Sequence, residues 1–129
     1  MTDDLDAIKQ LLGTYFDAWY DCDVDKLERV FHPSCHLFAN LNGALDDDDM
    51  PTVRDRLGRM ESGASRGDAR HDRILMVDLA SPTTAVAKVQ LSIGEKLFTD
   101  YLSLLKVDHR WQIMNKLFAV DPLAERAPA

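Results

Sequence analysis

A chain of 129 residues, 46% hydrophobic and 29% charged, has the size and balance of one globular domain with a real core. Its formal net charge of −7 argues against nucleic acid, whose phosphates call for Lys and Arg, and against anionic membrane surfaces. No apolar run reaches membrane-spanning length, the acidic start MTDDLDAIKQ carries no secretory signal, and Cys22 and Cys35 read as reduced thiols of a cytoplasmic protein rather than as a disulfide.

Leu5, Ile8, Leu12, Tyr15, Phe16 and Trp19 recur at helical spacing and predict a first helix with one apolar stripe, its positive end near Asp3, Asp4 and Asp6. The helix stops near Asp21-Cys22-Asp23. Asp23 then caps a short second helix whose Leu27, Val30 and Phe31 share a face, and Pro33 ends it. A short strand follows over roughly Cys35 to Asn40. Leu41-Asn42-Gly43 supplies turn chemistry, and Ala44-Leu45 begins a second short strand. The acidic run Asp46–Asp49 before Met50-Pro51 reads as the solvated start of a third helix, which runs to about Met60 and buries Val53, Leu57 and Met60.

Glu61 to Ala69, with its glycines and serines, reads as a mobile surface loop. The period then changes to two. Strands are expected over Arg70–Ala80, Ala85–Ile93, Lys96–Val107 and Trp111–Val120, and the tail beyond Pro122 is expected to fray. Helices followed by a run of antiparallel strands make an α+β fold. In the last strand Trp111, Ile113 and Leu117 occupy one parity, and Met114 and Phe118 the other. Such two-sided apolarity needs a cover on both faces: helices on one and a second subunit on the other.

The final hairpin, FTDYLSLLKVDHRWQIMNKLF, holds Asp100, Asn115 and Lys116 inside a mostly apolar run. A charge in mid-strand is costly unless it reaches water, a partner or a cavity. If the turn is a three-residue loop starting at Val107, Asp100 lies opposite Lys116 on the face of Leu102, Met114 and Phe118. A two-residue loop puts the two charges on opposite faces. The functional reading of a shared face is a polar spot in a small-molecule pocket. The plainer one is a cross-strand ion pair.

With YFDAWYDCDVDKLERVFHP near the start and DYLSLLKVDHRWQIMNKLF at the end, the chain resembles the nuclear-transport-factor-2-like superfamily, and within it the small lumazine-binding-like bacterial proteins. The resemblance implies a cystatin-like cone over the whole of 1–129. A curved antiparallel sheet of mixed strand lengths wraps around the N-terminal helices, with a pocket inside and a homodimer across the outer face. It also favours the shared, concave face for Asp100 and Lys116.

By match to the ketosteroid-isomerase-like members, an oxyanion Tyr falls on Tyr15 and an oxyanion Asp on Asp100, while the base position falls on Ala39, which cannot move a proton. That departure counts against steroid isomerisation. Fold-level likeness does not fix activity.

The expected function is therefore binding of a small, partly apolar organic ligand, with Asp100, Lys116 and Tyr15 as polar anchors. Trp19, Phe31, Phe38, Leu102, Met114 and Phe118 are the expected wall residues. One alternative is an isomerase, dehydratase or cyclase-like enzyme using Asp100, Tyr15 or His32 as acid or base. The other is a non-catalytic dimerisation module.

His32, Cys35 and His36 suggest a metal set, but Cys35 and His36 point to opposite faces of a strand, and no metal is expected. His71 beside Asp72 is a weak acid–base candidate. No phosphate loop, nucleophile elbow, H-E-x-x-H or C-x-x-C occurs, so no cofactor is expected.

Overall fold

Asp3 starts the first helix, its carboxylate accepting the Asp6 N–H at 2.8 Å. The computed structural model describes residues 3–126. Helix α1 spans Asp4–Asp21 and buries Ile8, Leu12, Tyr15, Phe16, Ala18 and Trp19. This is the stripe read from the sequence, except that Leu5 is 38% exposed. Cys22, in the left-handed region at φ 50°, ends the helix. Asp23 caps α2 (Val24–Val30) by accepting the Lys26 N–H at 3.1 Å. Phe31 then leaves in extended conformation and bridges Ile113.

Strands β1 (His36–Leu41) and β2 (Ala44–Asp49) form a hairpin around Asn42-Gly43, both at positive φ. The acidic run is thus mostly strand. Asp46, Asp47 and Asp48 lie in β2, and only Asp49 caps α3 (Met50–Arg59), accepting the Thr52 N–H at 3.0 Å. The strand is an edge, where carboxylates resist pairing with another chain. Two of them find partners, Asp47 with His36 at 2.6 Å and Asp48 with Arg56 at 2.9 Å.

The expected loop contains a helical turn, α4 (Gly63–Arg66), capped by Ser62 and followed by Gly67 at φ 69°. The Tyr20 hydroxyl holds the end of this stretch by donating to the Asp68 carbonyl at 2.7 Å.

Four long strands follow: β3 (Arg73–Ser81), β4 (Thr84–Ile93), β5 (Lys96–Val107) and β6 (Arg110–Pro122). Beyond them Leu123–Arg126 forms a helical turn, α5, whose Leu123 N–H donates to the Glu95 carbonyl at 2.9 Å. This turn opens the tail that the sequence expects to fray, and 127–129 lie outside the described residues.

The six-stranded sheet runs β2-β1-β6-β5-β4-β3. It is mixed rather than wholly antiparallel. The four long strands form a meander that leaves the far edge of β6 free, and β1 docks there in parallel through Leu37↔Lys116 and Phe38↔Leu117. Bulges in β3 and β6 bend the sheet, and it curves around α1 as an open α+β cone. One core cluster joins the α1 stripe to Ala85, Ala87, Val89, Leu91, Leu102, Leu104 and Ile113 from the concave face.

The last hairpin corrects both expected registers. Its loop has two residues, Asp108 at φ 51° and His109 at φ 63°, closed by the pair Val107↔Arg110. Alone, that loop would put Lys116 outside. Ladder pairs Leu104↔Ile113 and Ser103↔Asn115 show an extra residue, Met114, in β6. The bulge restores parity beyond it. Trp111, Ile113, Lys116 and Phe118 face inward, and Leu117 moves to the outer face, where it is 53% exposed.

A left-handed non-glycine residue costs roughly 1–2 kcal/mol, so the hairpin loop is strained at His109. The double replacement Asp108→Asn, His109→Gly should raise unfolding stability by about 1 kcal/mol in a denaturant titration. A loss of stability would show that the Asp108 or His109 side chain holds the turn in some other way.

Candidate functional site

Three elements converge inside the cone. Helix α1 brings Tyr15 and, one turn later, Trp19; β5 brings Asp100 and β6 brings Lys116. The Tyr15 hydroxyl donates to Asp100 Oδ2 at 2.6 Å, and Lys116 Nζ lies 3.5 Å from the same oxygen. Asp100 is fully buried and Lys116 is 4% exposed. The direct ladder partner of Asp100 is Phe118 and that of Lys116 is Leu102, so the ion pair is diagonal.

Lys116 Nζ also sits over three rings, 4.6 Å from the centroid of Trp19, 5.3 Å from Phe118 and 5.4 Å from Tyr15. Two buried polar atoms have no partner among the described residues, Asp100 Oδ1 and Trp19 Nε1. Native interiors rarely leave such atoms unmatched, and they mark where water or a ligand group belongs.

Burial sets the protonation of the cluster. It pushes the Tyr15 phenol well above its usual value, and the Asp100 charge and hydrogen bond add to that, so Tyr15 remains a donor. The Trp19 indole opposes the rise without reaching hydrogen-bond geometry. Burial likewise lowers the Lys116 ammonium, and the Asp100 carboxylate only partly restores it. The Cys35 thiol is pushed up to about 12 by burial, against a smaller opposing pull from Lys116, which leaves no thiolate nucleophile at neutral pH.

A cavity of about 590 Å³ opens in front of this cluster. Trp19, Leu37, Leu91, Phe98, Lys116 and Phe118 line its inner part, and Arg56, Glu61, Arg66, Glu95 and Lys96 stand toward its mouth. Its lining among the described residues includes Lys116 and Trp19 but neither Tyr15 nor Asp100. Of the buried polar cluster, Lys116 and Trp19 reach the cavity, and the Tyr15–Asp100 pair stands behind them.

The other expected site residues scatter. Leu102 is fully buried opposite Lys116, and Phe31 packs edge-on against Tyr15 at 5.8 Å; both are core. Phe38 alternates away from the buried Leu37 and stacks on His36 at 5.8 Å, on the opposite face of β1 from the cavity. The short strand has strict period-two alternation, so Phe38 cannot be an inner wall. Met114 is the bulged residue and does not join the core cluster. Ala39 is buried at 7% exposure beside Leu37 on β1.

His32 stands apart from the cluster, its Nδ1 2.7 Å from the Ser34 hydroxyl. His36 engages Asp47, Cys35 donates to the His36 carbonyl, and His71 meets Ser92. No group of three or more His, Cys, Asp or Glu side chains that could hold a metal ion occurs among the described residues. The sequence reading missed Leu37, Phe98 and the mouth residues. Phe98 was within reach, since it shares the parity of Asp100. Leu37 and Arg56 carry no sequence signal for the cavity, because they arrive there through the parallel β1–β6 junction and α3.

Among known proteins, the family described as "Putative lumazine-binding" matches residues 3–119, and the chain belongs to that family. It is 27% identical over 119 residues to "Aldolase FrzH" of Cladobotryum sp, covering 91% of each chain. Among solved structures, an NTF2-like protein of unknown function from Shewanella baltica superposes with TM-score 0.82 at 20% identity, over 95% of this chain and 99% of that one. A domain with a cystatin-like fold from Nostoc punctiforme gives 0.72 at 16% identity, over 98% and 82%. At such identities the two structures speak for the fold alone. No helix among the described residues is long and apolar enough to cross a membrane.

The buried pair makes a thermodynamic cycle decisive. Lys116→Met and Asp100→Leu each strand one buried charge and should each cost roughly 3–5 kcal/mol. The double replacement leaves none and should recover much of the loss in denaturant unfolding. Effects that add within a few tenths of a kcal/mol would contradict the pairing.

Proposed function

We propose that this member of the lumazine-binding-like family binds a small, partly apolar organic molecule inside the cone, and that it does so as a cytoplasmic homodimer joined through the outer face of the sheet. The observation that carries the reading is that Lys116, a buried cation, lines the cavity of about 590 Å³ together with Trp19. Ligand sites are typically concave, mostly apolar and supplied with a few placed polar groups. Here Leu37, Leu91, Phe98 and Phe118 offer apolar wall, and Lys116 offers a donor. The fitting ligand has an apolar body and one oxygen acceptor, a carbonyl or a carboxylate.

The dimer is supported by the outer face. Met76, Tyr101, Leu105 and Leu117 are between 37% and 53% exposed there, a row of large apolar side chains on the convex side. The free thiols of Cys22 and Cys35 fit a reducing compartment.

A second reading, an enzyme acting on a carbonyl compound, is favoured by the likeness to Aldolase FrzH over 91% of both chains. Making or breaking a carbon–carbon bond beside a carbonyl needs a donor at the oxygen and a group that moves a proton. Lys116 is placed for the first, and the Tyr15–Asp100 pair stands in reach of Lys116 to exchange a proton with it. Steroid isomerisation is not part of the proposal, because Ala39 stands at the position of the base.

Native mass spectrometry of the purified protein, and thermal unfolding with a panel of aromatic ketones and carboxylates, should find a retained molecule or a stabilising ligand. Lys116→Gln should lose most of that stabilisation. A panel without effect on a well-folded protein would leave the dimerisation module as the better account. Light scattering at micromolar concentration should give about twice the chain mass, and a monodisperse monomer would remove the outer-face interface.

A further inference from the structure

We propose that Lys116 is a nucleophile: its Nζ condenses with the carbonyl group of an aldehyde or an unhindered ketone held in the cone, forming a carbinolamine and then an imine, with Asp100 taking up and returning the proton. This rests on the ligand-binding reading of the same cavity and names its substrate class and reaction.

The geometry carries the inference. Lys116 carries the amine of the buried cluster and lines the cavity, although the residue is only 4% exposed. An ammonium has three N–H donors and a strong demand for hydration. Among the described residues it meets one acceptor, Asp100 Oδ2, at 3.5 Å, longer than the 2.7–2.9 Å of a charge-assisted bond, and Tyr15 already occupies that oxygen at 2.6 Å. The ring faces of Trp19, Phe118 and Tyr15 lie at 4.6, 5.3 and 5.4 Å from it.

Burial lowers the Lys116 ammonium, and the Asp100 carboxylate restores it only in part, so the balance of these two is toward the free amine. An amine desolvated in an apolar pocket is an activated nucleophile. A place for its proton exists in the same cluster, because Asp100 Oδ1 is buried and unpartnered. The other buried nucleophile nearby, Cys35, is held as a thiol.

The step balances within these groups. Lys116 gives a proton to the Asp100 carboxylate, and the Nζ lone pair attacks the carbonyl carbon. The C=O π pair moves to oxygen, which takes a proton from the attacking nitrogen, and Asp100 returns its proton to that nitrogen. The carbinolamine C–O bond then breaks as its oxygen takes a second proton from the nitrogen, water leaves, and the nitrogen lone pair forms the C=N bond. The protonated imine draws electrons from the neighbouring carbon, so an α-proton or an α,β carbon–carbon bond becomes labile. That is enolisation or aldol chemistry, run on a covalent adduct. Lys116 is the catalytic residue of this scheme, and Asp100 and Tyr15 position it and hold its proton.

The test uses the intact protein with cyclohexanone or hexanal and sodium cyanoborohydride, followed by proteolysis and mass mapping. Thermal unfolding with cyclohexanone and with cyclohexanol runs alongside. Lys116 should be alkylated at least about tenfold faster than the surface residues Lys26 and Lys106, with a pH midpoint below the ordinary lysine value of 10.5. Asp100 raises the Lys116 value, so Asp100→Asn should move that midpoint lower still. Stabilisation by both cyclohexanone and cyclohexanol without alkylation of Lys116 would overturn the imine and leave the binding pocket standing. Neither stabilisation nor alkylation would overturn both. Alkylation of Lys116 no faster than of Lys26 and Lys106 would also overturn the proposal.

Discussion

The structure depends on keeping an amine and a carboxylate inside a hydrophobic cone. Asp100 at 0% and Lys116 at 4% exposure are costly residues to bury. Water cannot solvate them, so the fold supplies substitutes: the Tyr15 hydroxyl for Asp100, and three aromatic rings with one shared carboxylate oxygen for Lys116. The substitution is incomplete. Asp100 Oδ1 and Trp19 Nε1 have no partner among the described residues, and Lys116 lies at a long distance from its counter-ion. Replacing buried ion pairs by apolar residues is often neutral or stabilising. A core that keeps such a pair, under-satisfied and facing a cavity, makes better sense as a site than as a strut.

Two local features of β6 create that site. The loop Asp108-His109 fixes a register that alone would turn Lys116 outward, and the extra residue Met114 turns it back. The same bulge adds bend to a strand that must curve around α1. It also sends Leu117 to the outer face beside Tyr101, its ladder partner. One inserted residue thus couples the inner polar cluster to the apolar outer surface. Any change that removed the bulge and kept the chain length would exchange the two.

Much of the fold was legible because its signals are periodic. The α1 stripe, the Asp23 cap, the alternation of Ala85 to Leu91 and the span Lys96–Val107 all appear as read. The acidic run was misread because carboxylates before Met50-Pro51 look like a helix start, whereas the edge position of β2 is a tertiary fact. Asp100, Lys116 and Tyr15 were legible as charged or polar groups in apolar runs. Their order was not. Only the register shows Lys116 in front of Asp100, and a bulge leaves no mark on a strand as uniformly apolar as Trp111 to Phe118. Phe38 was misassigned because its strand was placed by its residues and not by its partner: the parallel pairing Leu37↔Lys116 decides which side is inside.

The account stands on the state of one nitrogen. Nitrogen-detected NMR of protein labelled at lysine Nζ, assigned through Lys116→Arg, follows the Lys116 amine through a pH titration. The account predicts a midpoint below the ordinary lysine value of 10.5 and a shift of the same resonance when a carbonyl ligand fills the cavity. A Lys116 signal that titrates at or above the ordinary value and ignores cavity ligands would contradict it.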